Sequence, residues 1–221
     1  MRFFPVITLG LAAGAAALIG LAQPAPAAEG AVRAPAPLYA PANKAASEIA
    51  YFAGGCFWGV EGVFEEVKGV KSAVSGYQGG HVANPKYRQV TGGQTGHAET
   101  VKVTFDPRIV SYADLLRIYM SVVADPTLLN RQGPDRGPHY RTALFPTSER
   151  QKAIATAYIA QLGRARIFDR PIVTRIEKGK FWPAEDYHQD YMKKHPRQPY
   201  IVINDAPKVA ALKRLYPQMS K

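Results

Sequence analysis

The sequence contains one cysteine, Cys56, among 221 residues. A lone thiol excludes an internal disulfide, a multi-cysteine zinc cage and any resolution of its own oxidation within the chain. Acidic residues are also scarce, 17 against 28 lysines and arginines, for a formal charge of +11. That excess invites a nucleic-acid or membrane-surface reading. The bases are scattered, however, and their densest cluster is only Lys193, Lys194 and Arg197. The charge is therefore assigned to solubility and weak attraction to anionic surfaces, with no nucleic-acid partner expected. The glycines from 92 to 96 fit neither G-x-x-x-x-G-K-[ST] nor G-x-G-x-x-G, and H-E-x-x-H is missing, so no nucleotide loop or zinc helix is implied. His97-Ala98-Glu99 echoes the H-x-E of zinc deaminases, but their P-C-x-x-C cannot exist beside a single cysteine. No cofactor or metal is expected.

After Arg2, an uncharged apolar stretch runs from Phe3 to Ala22 and ends in Gln23-Pro24-Ala25-Pro26-Ala27. This is the anatomy of a secretory signal, with Ala25 and Ala27 as the small residues of an A-x-A cleavage site. Residues 1–27 are expected to be a signal peptide and the protein to be exported, to the periplasm after cleavage. The alternative is an uncleaved inner-membrane anchor, because about 20 apolar residues can just span a bilayer. Residues 28–47 are rich in Ala and Pro and read as a linker. The 47% apolar content supports one substantial core, so residues 48–221 are expected to form a single domain.

Within that domain, Glu48 to Ala53 reads as a buried strand ended by Gly54-Gly55. Cys56 follows, and Phe57, Val60, Val63, Phe64 and Val67 then recur at helical spacing, with Glu61, Glu65 and Glu66 off that face and Gly69 as the stop. Val70 to Gly76 reads as a strand, and Gln78 to Gly96 as a loop. Glu99, Val101, Val103 and Phe105 alternate with Thr100, Lys102 and Thr104, which predicts a half-buried strand with Glu99 on the apolar face. Ser111 and Asp114 resemble a capping box opening a helix to about Ala124. A loop from Asp125 to His139 precedes a strand over 140–145, a helix over 148–162 stopped at Gly163, and a strand over 171–177. Residues 184–194 read as helical, and Asp205 as the cap of a last helix through Tyr216. Strands and helices interleave without a repeat, which predicts an α/β or α+β layered domain.

Cys56 stands where a strand meets the first turn of a helix, so backbone N–H groups and the helix dipole are expected to favour its thiolate. Most lone cysteines are small buried hydrophobes. The paired glycines before Cys56 favour function, since they allow a ligand close to the sulfur. Glu99, desolvated on the core face of its strand, is expected to hold its proton and to act as an acid near neutral pH. Phe57 lies on the apolar stripe of its helix, whereas Trp58 lies off it and is a candidate pocket wall. Tyr87 and Tyr140 are phenols near loop ends.

Five blocks stand in order: Gly55-Cys56-Phe57-Trp58-Gly59, Tyr87-Arg88-Gln89-Val90, Gly96-His97-Ala98-Glu99, Asn130-Arg131-Gln132-Gly133, and Phe181-Trp182-Pro183-Ala184-Glu185-Asp186-Tyr187-His188-Gln189. Together they make residues 48 to 200 resemble an A-type peptide methionine sulfoxide reductase. The resemblance implies a two-layer α/β sandwich around a mixed sheet, with a loop-rich C-terminal part wrapping it. It implies that Cys56 attacks the sulfoxide sulfur while Glu99 protonates the oxygen, leaving a sulfenic acid on Cys56. It assigns Tyr87 and Tyr140 to hydrogen bonds with the sulfoxide oxygen, Asp135 to support of the polar side, and Phe57 with Trp58 to the methyl pocket. Selectivity for the S epimer is likewise implied by the family.

Ala124, Pro134 and His139 stand where the family often has His, Asn and Gln. The recycling cysteine that many members carry near the C-terminus is missing from residues 196–221. The expected partners are thus methionine sulfoxide, free or in oxidised proteins, and an external thiol reductant, either a thioredoxin-like protein or a small thiol. The protein is expected to be a monomer. Two rival readings are a one-cysteine thiol peroxidase and a basic envelope-associated binding domain whose cysteine is structural.

Overall fold

The computed structural model describes Met1 and residues 31–221. The apolar N-terminal stretch and its cleavage site lie outside the described residues. The strands are β1 (Glu48–Gly54), β2 (Val70–Gln78), β3 (Ala98–Phe105), β4 (Arg131–Gln132), β5 (Asp135–Arg136), β6 (Thr142–Leu144), β7 (Arg175–Ile176) and β8 (Trp182–Pro183). The helices are α1 (Phe57–Glu65), α2 (Tyr87–Thr91), α3 (Tyr112–Ile118), α4 (Glu149–Ala165), α5 (Tyr191–Lys194) and α6 (Ala206–Leu215). A mixed six-stranded sheet runs β7-β6-β1-β3-β2-β8, parallel only between β6 and β7, and β4 with β5 forms a separate hairpin.

Strand parity decides the layers. Phe52, Val101, Val103 and Phe105 turn to the face covered by α1, α3, α4 and α6, and all four are fully buried. Phe52 anchors this layer, its ring 4.6 Å from Phe64 of α1 and 5.5 Å from Tyr119 beyond α3. Each such side chain contributes about 1.5–3 kcal/mol through burial. The opposite face carries a smaller cluster of Ala53, Ala98, Ala143 and Phe145. This is the expected two-layer α/β sandwich with a mixed sheet.

Several element boundaries differ from the sequence reading. The first helix ends at Glu65, and Gly69 stands beyond it at φ +85°, turning the chain into β2. Glu61 is not off the core face: it is buried, accepting from Ser75 Oγ at 2.7 Å and from the Asp190 N–H at 3.2 Å. The loop after β2 contains α2. The Ser111–Asp114 capping box is present, but α3 gives way to a π-helical turn over Tyr119–Val123. Helix α4 runs through Gly163 and ends at Arg166, which takes the left-handed φ of +49°. The strand expected over 171–177 shrinks to β7, and the segment 184–194 holds only a 3-10 turn and α5.

Residues 31–47 contain no helix or strand, yet they are docked and not free. Ala34 is fully buried, and its N–H donates to Ser121 Oγ at 3.2 Å. Arg117 Nε, Tyr158 OH and Gln161 Nε2 donate to the carbonyls of Ala34, Pro35 and Ala36 at 2.8–2.9 Å. The segment read as linker is therefore a strap across the outer helices.

Candidate active site

Cys56 is the N-cap residue of α1, reached from β1 through Gly54 and Gly55. Both glycines answer to internal packing. A Cβ on Gly54 would stand 3.0 Å from Ala124 and from Tyr119. Gly55 takes φ +88°, and a Cβ there would meet Gln132 at 2.6 Å. The pair serves the turn itself, which is a different reason from the ligand approach inferred from sequence. Gln132 is in turn fixed by reciprocal hydrogen bonds with the backbone of Asp125, at 2.9 and 2.8 Å.

The thiol is buried, and its electrostatics reverse the sequence expectation. Burial pushes the Cys56 thiol well up from its ordinary value, Glu99 and Asp205 push it further, and the Trp58 N–H and Lys208 only partly oppose them. Desolvation outweighs the helix terminus because a thiolate in an enclosed site loses water that one N–H and one distant ammonium do not replace. The resting sulfur is protonated.

Glu99 stands in β3 beside Cys56, 1% exposed. Its Oε2 accepts the Phe57 N–H at 2.9 Å, which ties the carboxyl to the residue after the cysteine. Burial pushes its pKa up to about 8 against the opposing pull of that N–H. The carboxyl is therefore mostly protonated at neutral pH, with Oε1 making no hydrogen bond to the described residues.

The remaining residues singled out from sequence collect around this pair. Tyr87 opens α2, where its N–H donates to Glu185 Oε1 at 3.0 Å, and its ring lies 4.6 Å from His188. Burial pushes its phenol up to about 12, with Glu99 and Cys56 among the nearby groups adding to the rise. The Tyr140 phenol is raised by burial and then by Glu99, Asp135, Tyr87 and Cys56, so five polar groups share one locality. Asp135, in β5, accepts from the hydroxyl of Tyr200, and burial raises its carboxyl. Trp58 is half-buried, stacked on Tyr191 at 3.8 Å and donating from Nε1 to His188 Nδ1 at 3.1 Å. Phe57 is 1% exposed, packed 4.9 Å from His188 and 5.8 Å from Tyr77, so its ring backs the wall from inside.

Sequence reasoning missed the C-terminal contributors. Tyr200 meets Trp58 edge-on at 6.0 Å and holds Asp135. Glu185 joins Tyr77 to Tyr87, and the buried Asp205 lies against Gly59 of α1. These residues come from turns and short helices in which neither a 3.6 nor a 2.0 period operates. For Glu185 the signal was its place in the Phe181–Gln189 block, whereas nothing marked Tyr200, and Asp205 was marked only as a helix cap. Among the described residues, Glu61, Glu65 and Asp190 stand close enough to share a cation. Ser75, the Asp190 N–H and Lys193 already occupy their oxygens.

The site thus brings together a protonated thiol, a mostly protonated buried carboxyl, two phenols and an indole. Comparison with known proteins gives this arrangement its family. The family model for peptide methionine sulfoxide reductase matches residues 48–219. A peptide methionine sulfoxide reductase from Mesorhizobium japonicum is 56% identical over 174 residues, covering 78% of this chain and 89% of the relative. One from Deinococcus radiodurans is 54% identical over 173 residues, covering 78% and 84%. Among solved structures, methionine sulfoxide reductase A of Corynebacterium diphtheriae superposes with a TM-score of 0.59 at 29% identity, covering 80% of this chain and 93% of that one. Reduced Mxr1 from Saccharomyces cerevisiae gives 0.61 at 29%, covering 73% and 92%.

Proposed function

The chain belongs to the peptide methionine sulfoxide reductase family, and we propose that it reduces the S epimer of methionine sulfoxide, free or in oxidised proteins, with Cys56 as nucleophile and Glu99 as acid. The hydrogen bond from the Phe57 N–H to Glu99 Oε2 carries this assignment, because it fixes a proton-bearing carboxyl beside the only thiol. The sulfur of Cys56 bonds to the sulfoxide sulfur as Glu99 passes its proton to the oxygen. The new sulfur–sulfur bond and the substrate's sulfur–oxygen bond then break as an oxygen–sulfur bond forms on Cys56, which releases methionine and leaves Cys56 as a sulfenic acid. Cysteine sulfur gives up two electrons, methionine sulfur gains them, and the thiol's proton returns to Glu99.

Tyr87 and Tyr140 keep their phenolic protons throughout the neutral range, since burial raises both, and donate them in hydrogen bonds to the sulfoxide oxygen. The S-methyl lies against Trp58, backed by Phe57. Asp135 acts through Tyr200, whose ring braces Trp58. With no second cysteine in the chain, an external thiol attacks the sulfenic sulfur and releases water, and a second thiol splits the mixed disulfide. The signal-like residues 1–27 support export, and repair of oxidised envelope proteins follows from that location.

The test is chiral. The R and S epimers of a methionine sulfoxide peptide are offered with dithiothreitol, and loss of each is followed by chromatography. Consumption of S alone, with peroxide turned over no faster than by free thiol, is the expected result. Equal use of both epimers, or peroxide as the better substrate, overturns the reading in favour of a less selective thiol reductase or a one-cysteine peroxidase. N-terminal sequencing of protein recovered from the cell envelope checks export, with Ala28 as the expected first residue.

A further inference from the structure

Helix α1 carries a buried carboxyl that the chemistry at Cys56 does not use. Glu61 is 2% exposed and lies one turn beyond Phe57 and Trp58. Its oxygens are held from two other elements: Oε2 accepts from Ser75 Oγ of β2 at 2.7 Å, and Oε1 accepts the Asp190 N–H at 3.2 Å. Asp190 opens α5 in a left-handed conformation, φ +53°, and its own side chain makes no capping hydrogen bond. The leading N–H groups of a helix have no partner within it. In a capping box a residue of the same helix reaches back to the first of them, whereas here Glu61 does so from another helix. The next residue, Tyr191, stacks on the Trp58 indole with centroids 3.8 Å apart and planes 9° from parallel. Two consecutive residues at the head of α5 are thus gripped by two side chains of α1.

Helix α5 has only four residues, too few to be stable by itself, so its place is set by what it touches. It lies directly on α1 at Gly62, where a Cβ would meet Met192 Sδ at 2.5 Å. Ser75, the other anchor of Glu61, is pinned in turn by Gln189, which donates from Nε2 to its carbonyl at 3.0 Å and accepts its N–H at 2.9 Å. Gln189 directly precedes Asp190, so Glu61 closes a ring of contacts from α1 through β2 to α5. Burying a carboxyl costs more than burying an apolar side chain of similar volume, which marks these bonds as a constraint on geometry.

We propose that Glu61 is a positioning residue for the methyl pocket: by holding the Asp190 N–H and Ser75 together it fixes Tyr191, and through Tyr191 the plane of the Trp58 indole. The inference rests on the reductase reading, in which the S-methyl of the substrate lies against Trp58. Neither bond of Glu61 goes to Cys56, Glu99, Tyr87 or Tyr140, so it acts through the wall alone. Trp58 is otherwise held by the bond from Nε1 to His188 and by the edge of Tyr200, contacts about which the ring can tilt once its face is uncovered. A tilted indole offers the methyl group a poorer apolar surface, while the thiol and carboxyl that perform the chemistry stay in place.

The experiment reads single-turnover release of methionine from a methionine sulfoxide peptide against peptide concentration. Alongside it, acrylamide quenching of Trp58 fluorescence is read in a Trp182→Phe background, which removes the only other tryptophan. Glu61→Ala should raise the half-saturating concentration roughly tenfold, leave the limiting rate within about twofold, and make Trp58 more quenchable. Glu61→Gln can still accept the Asp190 N–H and can donate to Ser75 Oγ, so it should behave like wild type. Tyr191→Leu should reproduce the effect of Glu61→Ala, and combining the two should change little more, because both act through one contact. Ser75→Ala loosens one anchor, gives the same sign and serves if Glu61→Ala does not fold. A merely structural Glu61 would lower the folded fraction, and so the amplitude of turnover, with the half-saturating concentration and the quenching of folded molecules unmoved. That result, Glu61→Gln as impaired as Glu61→Ala, or full additivity with Tyr191→Leu overturns the proposal. Failure of wild type to release methionine would count against the reductase reading alone, since the quenching comparison uses no turnover and still decides whether Glu61 holds Trp58.

Discussion

A carboxyl group that has lost its water but kept one backbone donor holds its proton to higher pH than a solvated one. Glu99, pushed up to about 8, is loaded as an acid below that value and unloaded as pH rises through it. Reduction of methionine sulfoxide by the wild-type chain should therefore fall as the pH passes 8. Glu99→Gln keeps the shape and the Phe57 contact but has no proton to give, so its rate should drop by about 10²–10⁴ and lose that alkaline limb. Cys56→Ser should show no turnover. Steady-state rates with dithiothreitol decide this, and a glutamine variant as fast as wild type between about pH 5 and pH 8 removes Glu99 from the acid role. Strand alternation made Glu99 legible in the sequence, because its parity with Val101, Val103 and Phe105 needs no tertiary knowledge. The charge state of Cys56 was not legible. A helix terminus is visible as a pattern, whereas the burial that outweighs it is set by tertiary packing from elements far along the chain.

At the scale of elements, apolar spacing located α1, α3, α4 and α6 but not their ends, which are set by particular contacts. Gly163 has the residue type of a helix stop, yet α4 continues through it because Arg166 supplies the left-handed terminus instead. Nothing lies within 4 Å of where its Cβ would be. Gly163→Ala should therefore stabilise the fold by about 0.4–1 kcal/mol, chiefly through the unfolded chain. Gly59 is the opposite case. Its Cβ would collide with the buried, ion-paired Asp205, so Gly59→Ala should cost about 1–3 kcal/mol as overpacking. Urea denaturation of both variants measures the contrast, and equal midpoints would mean that Asp205 moves freely. The π-helical turns at Tyr119–Val123 and Ile201–Asp205 escaped sequence reading altogether, since one inserted residue per turn leaves no periodic trace.

Taken as a whole, the molecule closes its helical layer with a strap that composition alone presents as a tether. Residues 31–46 are poor in large apolar side chains, so hydrophobic patterning has nothing to detect. Their contribution is backbone carbonyls, and the donors belong to helices far along the chain: Arg117 to Ala34, Tyr158 to Pro35, Gln161 to Ala36 and Arg150 to Pro41. The reverse pairings also occur, with the Val32 N–H donating to the Ser121 carbonyl at 3.0 Å and the Leu38 N–H to Gln161 Oε1 at 2.9 Å. Prolines at 35, 37 and 41 restrict the free segment and reduce the entropy lost on docking. Such hydrogen bonds are worth about 0.5–1.5 kcal/mol each before ordering costs are subtracted. A chain beginning at Ser47 should then be less stable by on the order of 2 kcal/mol, lowering the melting temperature by roughly 4–8 °C. Turnover per folded molecule should be unchanged, because the strap touches none of the residues around Cys56. Calorimetry beside a single-turnover assay separates these quantities: an unshifted melt would return residues 31–46 to the status of a tether, and lost turnover with an intact melt would place the strap in the path of the chemistry.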